Sequence, residues 1–169
     1  MIYMVVTVIA LLFGPVAAAQ HMHPSPTPQG ASSATTALTA EAIQELLPGA
    51  GMGLAKPAEA NRHPGPKHVL ELERELALSN DQKAQVAAVR EQMLVRAKSL
   101  GQEIVDAERA LDAAFKGGTI SESELVQRVR RIALLQGDLR ATHLRAHLMT
   151  KPILSADQVR KYYEARSVR

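Results

Sequence analysis

The chain has 169 residues, 46% hydrophobic but only 3% aromatic, with no Trp and no Cys. The length suits one domain with tails, the composition favours Leu, Val and Ala helix packing over a sandwich or barrel, and the missing Cys excludes disulfide frameworks, zinc ribbons and thiol catalysis. The net charge of +3 is uneven: residues 1–60 carry one Lys against three Glu, residues 61–125 nine basic against eleven acidic side chains, and residues 126–169 ten against three, so the C-terminal third offers a basic face to an acidic or polar partner.

The first segment, "MIYMVVTVIALLFGPVAAAQ", runs apolar from Ile2 to Phe13, breaks at Gly14-Pro15 and ends in small residues at Ala17-Ala18-Ala19. This is the shape of a secretory signal with an Ala-x-Ala cleavage site, although no Lys or Arg precedes the run. Residues 1–19 are therefore expected to be a cleaved signal that places the rest outside the cytoplasm, in the periplasm. Membrane attachment arises only if the segment is retained as an anchor, for which the run is short.

Residues 20–37, beginning "HMHPSPTPQGASSATT", are rich in Pro, Ser and Thr and are expected to form an extended tether. Cleavage near Ala19 would leave His21 or His23 within reach of the new amine. An amine, intervening amide nitrogens and an imidazole can wrap Cu(II) or Ni(II) in a square plane. The plainer reading is a chance His pair in a linker.

A helical domain is expected over residues 38–169. Thr39 in "LTAEAI" caps a short helix from about Ala40 to Leu47, with a Leu38 to Ile43 staple. The stretch "PGAGMGLAKPAEANRHPGP" should be a turn-filled connector, followed by a helix from about Pro66 to Leu78. The pentapeptides "LSNDQ" (Leu78, Ser79, Gln82) and "LSADQ" (Leu154, Ser155, Gln158) both carry the Ser-x-x-Gln capping box. Leu154 can also staple onto Val159, whereas the matching position after Leu78 is Lys83. Local chemistry alone explains each copy as a helix start and calls for no further role.

The helix opened by Ser79 carries Val86, Val89, Met93, Ala97, Leu100, Ile104, Ala107, Leu111 and Phe115 within an arc of about 80° at 100° per residue. It would be about 54 Å long and should stop at Gly117-Gly118, where a left-handed residue is readily adopted. Ser121 and Glu124 then open a helix from about Glu122 to Met149 whose seam holds Leu125, Val129, Ile132, Leu139 and Ala146. A short connection between two long amphipathic helices predicts an antiparallel hairpin. The last helix runs from Ala156 to about Ala165. Two narrow seams on a thin hairpin leave apolar surface for the short helices or a second chain to cover, so the expected class is all-α, a long antiparallel hairpin with shorter flanking helices, assembled as a homodimer.

"HLRAHLM" is the most informative local feature. His143 and His147 are four apart and share a helix face, a separation at which two imidazoles can hold one metal ion. Measured from Leu125 they fall at about 0° and 40°, on the seam, where two buried rings need a metal ion or hydrogen-bond partners. His68, Glu71 and Glu75 fall on one flank of the preceding helix and are candidate co-ligands. Met149 is a soft ligand that faces away from the pair, at about 240°. The plainer alternative is a pair of core histidines bonded to backbone or Glu, which could also respond to pH.

An exported, Cys-free, helical chain with Leu-Ser-x-x-Gln before its third and last helices resembles the Spy/CpxP-type periplasmic family. That family takes in LTxxQ-motif stress chaperones, zinc-resistance-associated proteins and heavy-metal sensor or resistance proteins. The matching stretches are "GMGLAKPAEANRHPGPKHVLELERELALSNDQ" and "LRATHLRAHLMTKPILSADQVRKYYEAR", so the resemblance covers roughly Leu38 to Arg166, with Ser where the family usually has Thr. It implies a curved, commonly dimeric helical hairpin in the periplasm without enzymatic activity. The metal-sensing branch implies transition-metal binding (zinc, copper or nickel) in envelope-stress or heavy-metal response. The chaperone branch implies an ATP-independent holdase that binds unfolded clients on a basic face, here Arg128, Arg131, Arg140 and Arg145, with Arg130, Arg160, Lys161 and Arg166 extending it. Possible partners are then unfolded proteins or an envelope sensor protein. The metal-sensing branch has a His-x-x-x-His near its first helix, where this chain has His63 and His68 five apart, and a His-x-x-x-Met near the end of its fourth, where this chain has His143-x-x-x-His147.

An enzyme is not expected, because "GAGMG" follows no strand and so cradles no phosphate, and each prominent Ser has a capping role. Nucleic acid is not expected either, since few aromatics are available for stacking.

Overall fold

The computed structural model describes residues 35–167. The expected signal at 1–19, most of the expected tether at 20–37, and His21 and His23 lie outside the described residues. Those described form six α-helices and no strand: α1 (Ala40–Leu46), α2 (Lys56–Ala60), α3 (Pro66–Glu71), α4 (Asn80–Lys116), α5 (Glu122–Thr150) and α6 (Ala156–Ser167), with a 3-10 turn at Lys151–Ile153 between the last two. No described helix is long and apolar enough to cross a membrane.

The helix starts follow the capping chemistry. Thr39 accepts from the Ala42 N–H, Ser79 from Gln82, Ser121 from Glu124 and Ser155 from Gln158. Both Ser-x-x-Gln copies close the reciprocal box, with the Ser79 and Ser155 N–H groups donating to the Gln82 and Gln158 side-chain Oε1 atoms at 3.1 and 2.8 Å. Glu124 does not close its box and pairs instead with Arg128. α4 ends where expected, with Gly118 at φ +69°.

The expected second helix is cut short. α3 stops at Glu71, and the chain passes through turns to Ala77, which has φ +49°. The connector, in turn, contains the short helix α2, with Pro57 in its first turn, where a missing N–H costs nothing.

Two apolar clusters hold the described chain together. In one, Ile43 and Leu46 of α1 pack with Ala97, Leu100, Ile104 and Val105 of α4 and with Leu135 and Leu139 of α5. α1 comes this close because residue 101 is Gly: a Cβ there would stand 2.2 Å from the Leu46 carbonyl oxygen. In the other, Val69, Leu72, Leu76 and Leu78 pack with Val86, Leu154, Val159 and Tyr162. The most extensive helix contact is between α4 and α5, reinforced by Arg131 donating to Glu103 at 2.8 Å.

The pentapeptides do more than start helices, which corrects the local reading. The Gln82 amide nitrogen donates to the Gln158 side-chain oxygen at 2.9 Å, and the Gln158 amide nitrogen donates back to Gln82 at 3.0 Å. Each nitrogen also donates to a carbonyl across the chain, Gln82 to Ile153 at 2.9 Å and Gln158 to Leu76 at 3.2 Å. The two capping boxes thus tie the start of α4 to the start of α6.

The expected seams are buried along only part of their length. Phe115 and Val129 are about half exposed, at 55% and 48%. Thr36 reaches Asp112 near the end of α4, but Phe115 and Val129 stay open.

Candidate functional site

His143 and His147 lie on the stretch of α5 between the residues that serve the two clusters. Both are buried, as their angle on the seam predicts. His147 Nδ1 lies 2.8 Å from the His63 carbonyl oxygen. A carbonyl only accepts, so Nδ1 carries a proton that it donates to His63. The ring lies against Gly65, where a Cβ would come within 2.7 Å of Cε1.

His143 is in a different state. Its Nε2 is buried and has no hydrogen-bond partner among the described residues, a condition that native interiors seldom leave uncompensated. Burial holds its pKa below the ordinary histidine value, and the neighbouring His147 adds to that depression. Burial thus favours the neutral form of His143, one helical turn from the His147 ring.

Both rings open on one cavity of about 480 Å³, bounded by the Gly-rich segment from Pro48 to Lys56, the start of α3 and the middle of α4. His68 lines it too. The other expected co-ligands are drawn elsewhere. Glu71 accepts from His68 Nδ1 at 2.7 Å and lies 3.9 Å from Lys67, and the His68 hydrogen bond holds its carboxyl below the usual range. Glu75 is exposed and falls beyond the end of α3, so the helical angle that placed it beside His68 does not apply. Among the described residues no group of three or more His, Asp or Glu side chains is close enough to hold a metal ion. The set of His68, Glu71 and Glu75 around the His pair is thus not assembled.

Met149 stands apart as its angle predicts, in a separate groove with Val89, Arg96 and Arg145. Of the basic candidates, Arg128 is bonded to Glu124 and Arg131 to Glu103, whereas Arg140 and Arg145 make no ion pair among the described residues.

The cavity also holds residues that the sequence did not single out: Met52, Lys56, Glu59, Arg90 and Met93. Met93 lay on the α4 seam and could have been weighed as a donor. Lys56, Glu59 and Met52 had no readable signal, because the connector's path back over α4 and α5 depends on its turns. No protein-family model, curated protein or solved structure matches the chain.

Proposed function

We propose that this is a periplasmic heavy-metal-response or envelope-stress protein of the Spy/CpxP type, a helical hairpin that assembles as a dimer and binds a transition metal ion at His143 and His147. The observation that carries the reading is the buried Nε2 of His143, unpartnered among the described residues, beside a His147 whose Nδ1–H donates to the His63 carbonyl. Metal-bound histidines characteristically donate their other nitrogen to a backbone carbonyl in this way, which orients the ring and raises its basicity. Zinc, copper and nickel all accept neutral imidazole. The bound ion would bridge two donors on α5 and satisfy the orphaned nitrogen. The half-exposed Phe115 and Val129 are the apolar surface that a second copy would cover.

Thermal melting with and without Zn(II), Cu(II) or Ni(II) tests this. A specific site raises the midpoint, because only the folded chain presents it. The rise should vanish in the His143→Ala, His147→Ala variant, and a rise that persists there places the metal elsewhere.

A holdase role is the second reading. Leu134 and Leu148 on α5 are 66% and 61% exposed, on the helix that also carries the exposed Arg140 and Arg145, a combination of apolar and basic side chains suited to acidic unfolded chains. Metal-free protein that suppresses client aggregation, and loses this on Leu134→Ser with Leu148→Ser, would favour it over the metal reading.

A further inference from the structure

The cavity beside the two imidazoles has a charge and a shape of its own. At about 480 Å³ it falls within the range of small-molecule sites, about 300–1,000 Å³. Three cations line it: Lys56 from α2, Lys67 from α3 and Arg90 from α4. Lys56 and Arg90 make no ion pair among the described residues, and Lys67 has only the exposed Glu71, 3.9 Å away. The one carboxylate in the lining, Glu59, lies 3.6 Å from Arg166. The cavity thus holds an excess of positive charge in a partly enclosed space, where charges interact more strongly than in water. Backbone donors add to it. The turns of the Gly-rich segment use the N–H groups of Gly49, Ala50, Leu54 and Lys56, which leaves those of Gly51, Met52 and Gly53 without an acceptor among the described residues. Met52 and Gly53 both have positive φ, +46° and +73°, and successive unbonded N–H groups in a turn form a concavity suited to an anion. The Lys56 ammonium lies over the same turn, since a Cβ at Gly53 would stand 3.6 Å from its Nζ.

The rest of the lining is largely aliphatic, with Met52, Met93 and Leu94 supplying its longest apolar side chains. No Phe, Tyr or Trp lines the cavity, so it offers no such ring for a nucleobase or other aromatic body to stack on. Flexible thioether side chains adapt instead to an aliphatic chain. We propose that this cavity binds a small aliphatic carboxylate, whose charged group is held by Lys56, Arg90 and the free N–H groups of Gly51, Met52 and Gly53 and whose chain lies against Met52, Met93 and Leu94. Lys, Arg and backbone N–H groups all bind carboxylates through charge-assisted hydrogen bonds, roughly twice as strong as neutral ones. The site takes no donor from His143, whose Nε2 stays buried, and it does not rest on the metal-binding reading.

Calorimetric titration of the metal-free full chain with octanoate, octanamide and inorganic phosphate tests the proposal. Octanoate, kept below its micelle concentration, should saturate at one per chain. It should bind about tenfold or more tightly than either of the others, because octanamide lacks the charge and phosphate lacks the chain. Lys56→Met with Arg90→Met should bring octanoate down to the level of octanamide, and Met93→Gln should weaken octanoate without changing phosphate. If the charge variant fails to melt cooperatively, wild type in about 1 M salt replaces it. There the screening length falls to about 3 Å and the advantage of octanoate over octanamide should collapse. Octanamide binding as tightly as octanoate overturns the anion site. Phosphate binding as tightly overturns the aliphatic carboxylate in favour of a plain anion. Octanoate binding that ignores the variant and the salt, that never saturates at one per chain, or that is absent overturns the site as a whole.

Discussion

Replacing Gln82 by Ala should cost far more than a helix cap is worth. The side chain makes four hydrogen bonds: it accepts from the Ser79 N–H and from Gln158, and it donates to Gln158 and to the Ile153 carbonyl. Only the first is local to α4. The other three cross to the segment at the start of α6 and are partly buried. At about 1 kcal/mol net for each they sum to about 3 kcal/mol, against about 1 kcal/mol for removing the Ser79 cap. Urea unfolding followed by circular dichroism, on Ser79→Ala, Gln82→Ala, Gln158→Ala and the double Gln variant, measures both quantities. The two glutamines share two of the bonds, so the double variant should be less destabilised than the sum of the singles by about 1–2 kcal/mol. If Gln82→Ala costs no more than Ser79→Ala, or if the singles add within about 0.5 kcal/mol, the pair is only two adjacent caps.

Gly101→Ala places a Cβ 2.2 Å from the Leu46 carbonyl and should push α1 off α4. Losing the burial of Ile43 and Leu46 costs roughly 3 kcal/mol or more, and about 1 kcal/mol returns from better helix propensity. Proteolysis within residues 35–50 should then outpace cleavage of the wild type. Without metal, acid should weaken the fold through His143. Its folded pKa lies below its unfolded value, so the unfolded chain binds more protons as pH falls below about 6.5, and the stability present above that pH is lost. Urea stability measured at pH 7.5 and at pH 5 should differ less in His143→Gln than in the wild type. At the alkaline end, burial pushes the Tyr162 hydroxyl up to about 12. That raised pKa means stability is intact below pH 10 and falls on the order of 2 kcal/mol as pH climbs towards 12. Tyr162→Phe should remove that fall at little cost at neutral pH, because the hydroxyl makes no well-formed hydrogen bond among the described residues.

The features readable from the chain were those with local causes. A capping box closes within four residues, so Ser79, Ser121 and Ser155 could be identified as helix starts without knowing what surrounds them. Periodicity likewise placed His143 and His147 on the inward face of α5, and Met149 off it. Phe115 and Val129 carry the same periodicity as Leu100 and Leu139 but are exposed, because burial depends on whether a covering element arrives. α1 arrives at Leu100 through the close approach at Gly101, and no described element arrives at Phe115.

The starts of α1, α4, α5 and α6 and the inward turn of the two imidazoles were thus determined by sequence alone, since bonds and angles within one or two turns enforce them. Tertiary structure decided the rest. It joined Gln82 to Gln158 and set the His63 carbonyl against His147 while leaving His143 Nε2 unpartnered. It also drew the connector over the pair, bringing Lys56, Met52 and Glu59 to a cavity shared with Arg90 and Met93. Each of these contacts joins segments far apart along the chain. Their existence depends on where turns such as Ala77 redirect the backbone, which no local pattern of side chains specifies.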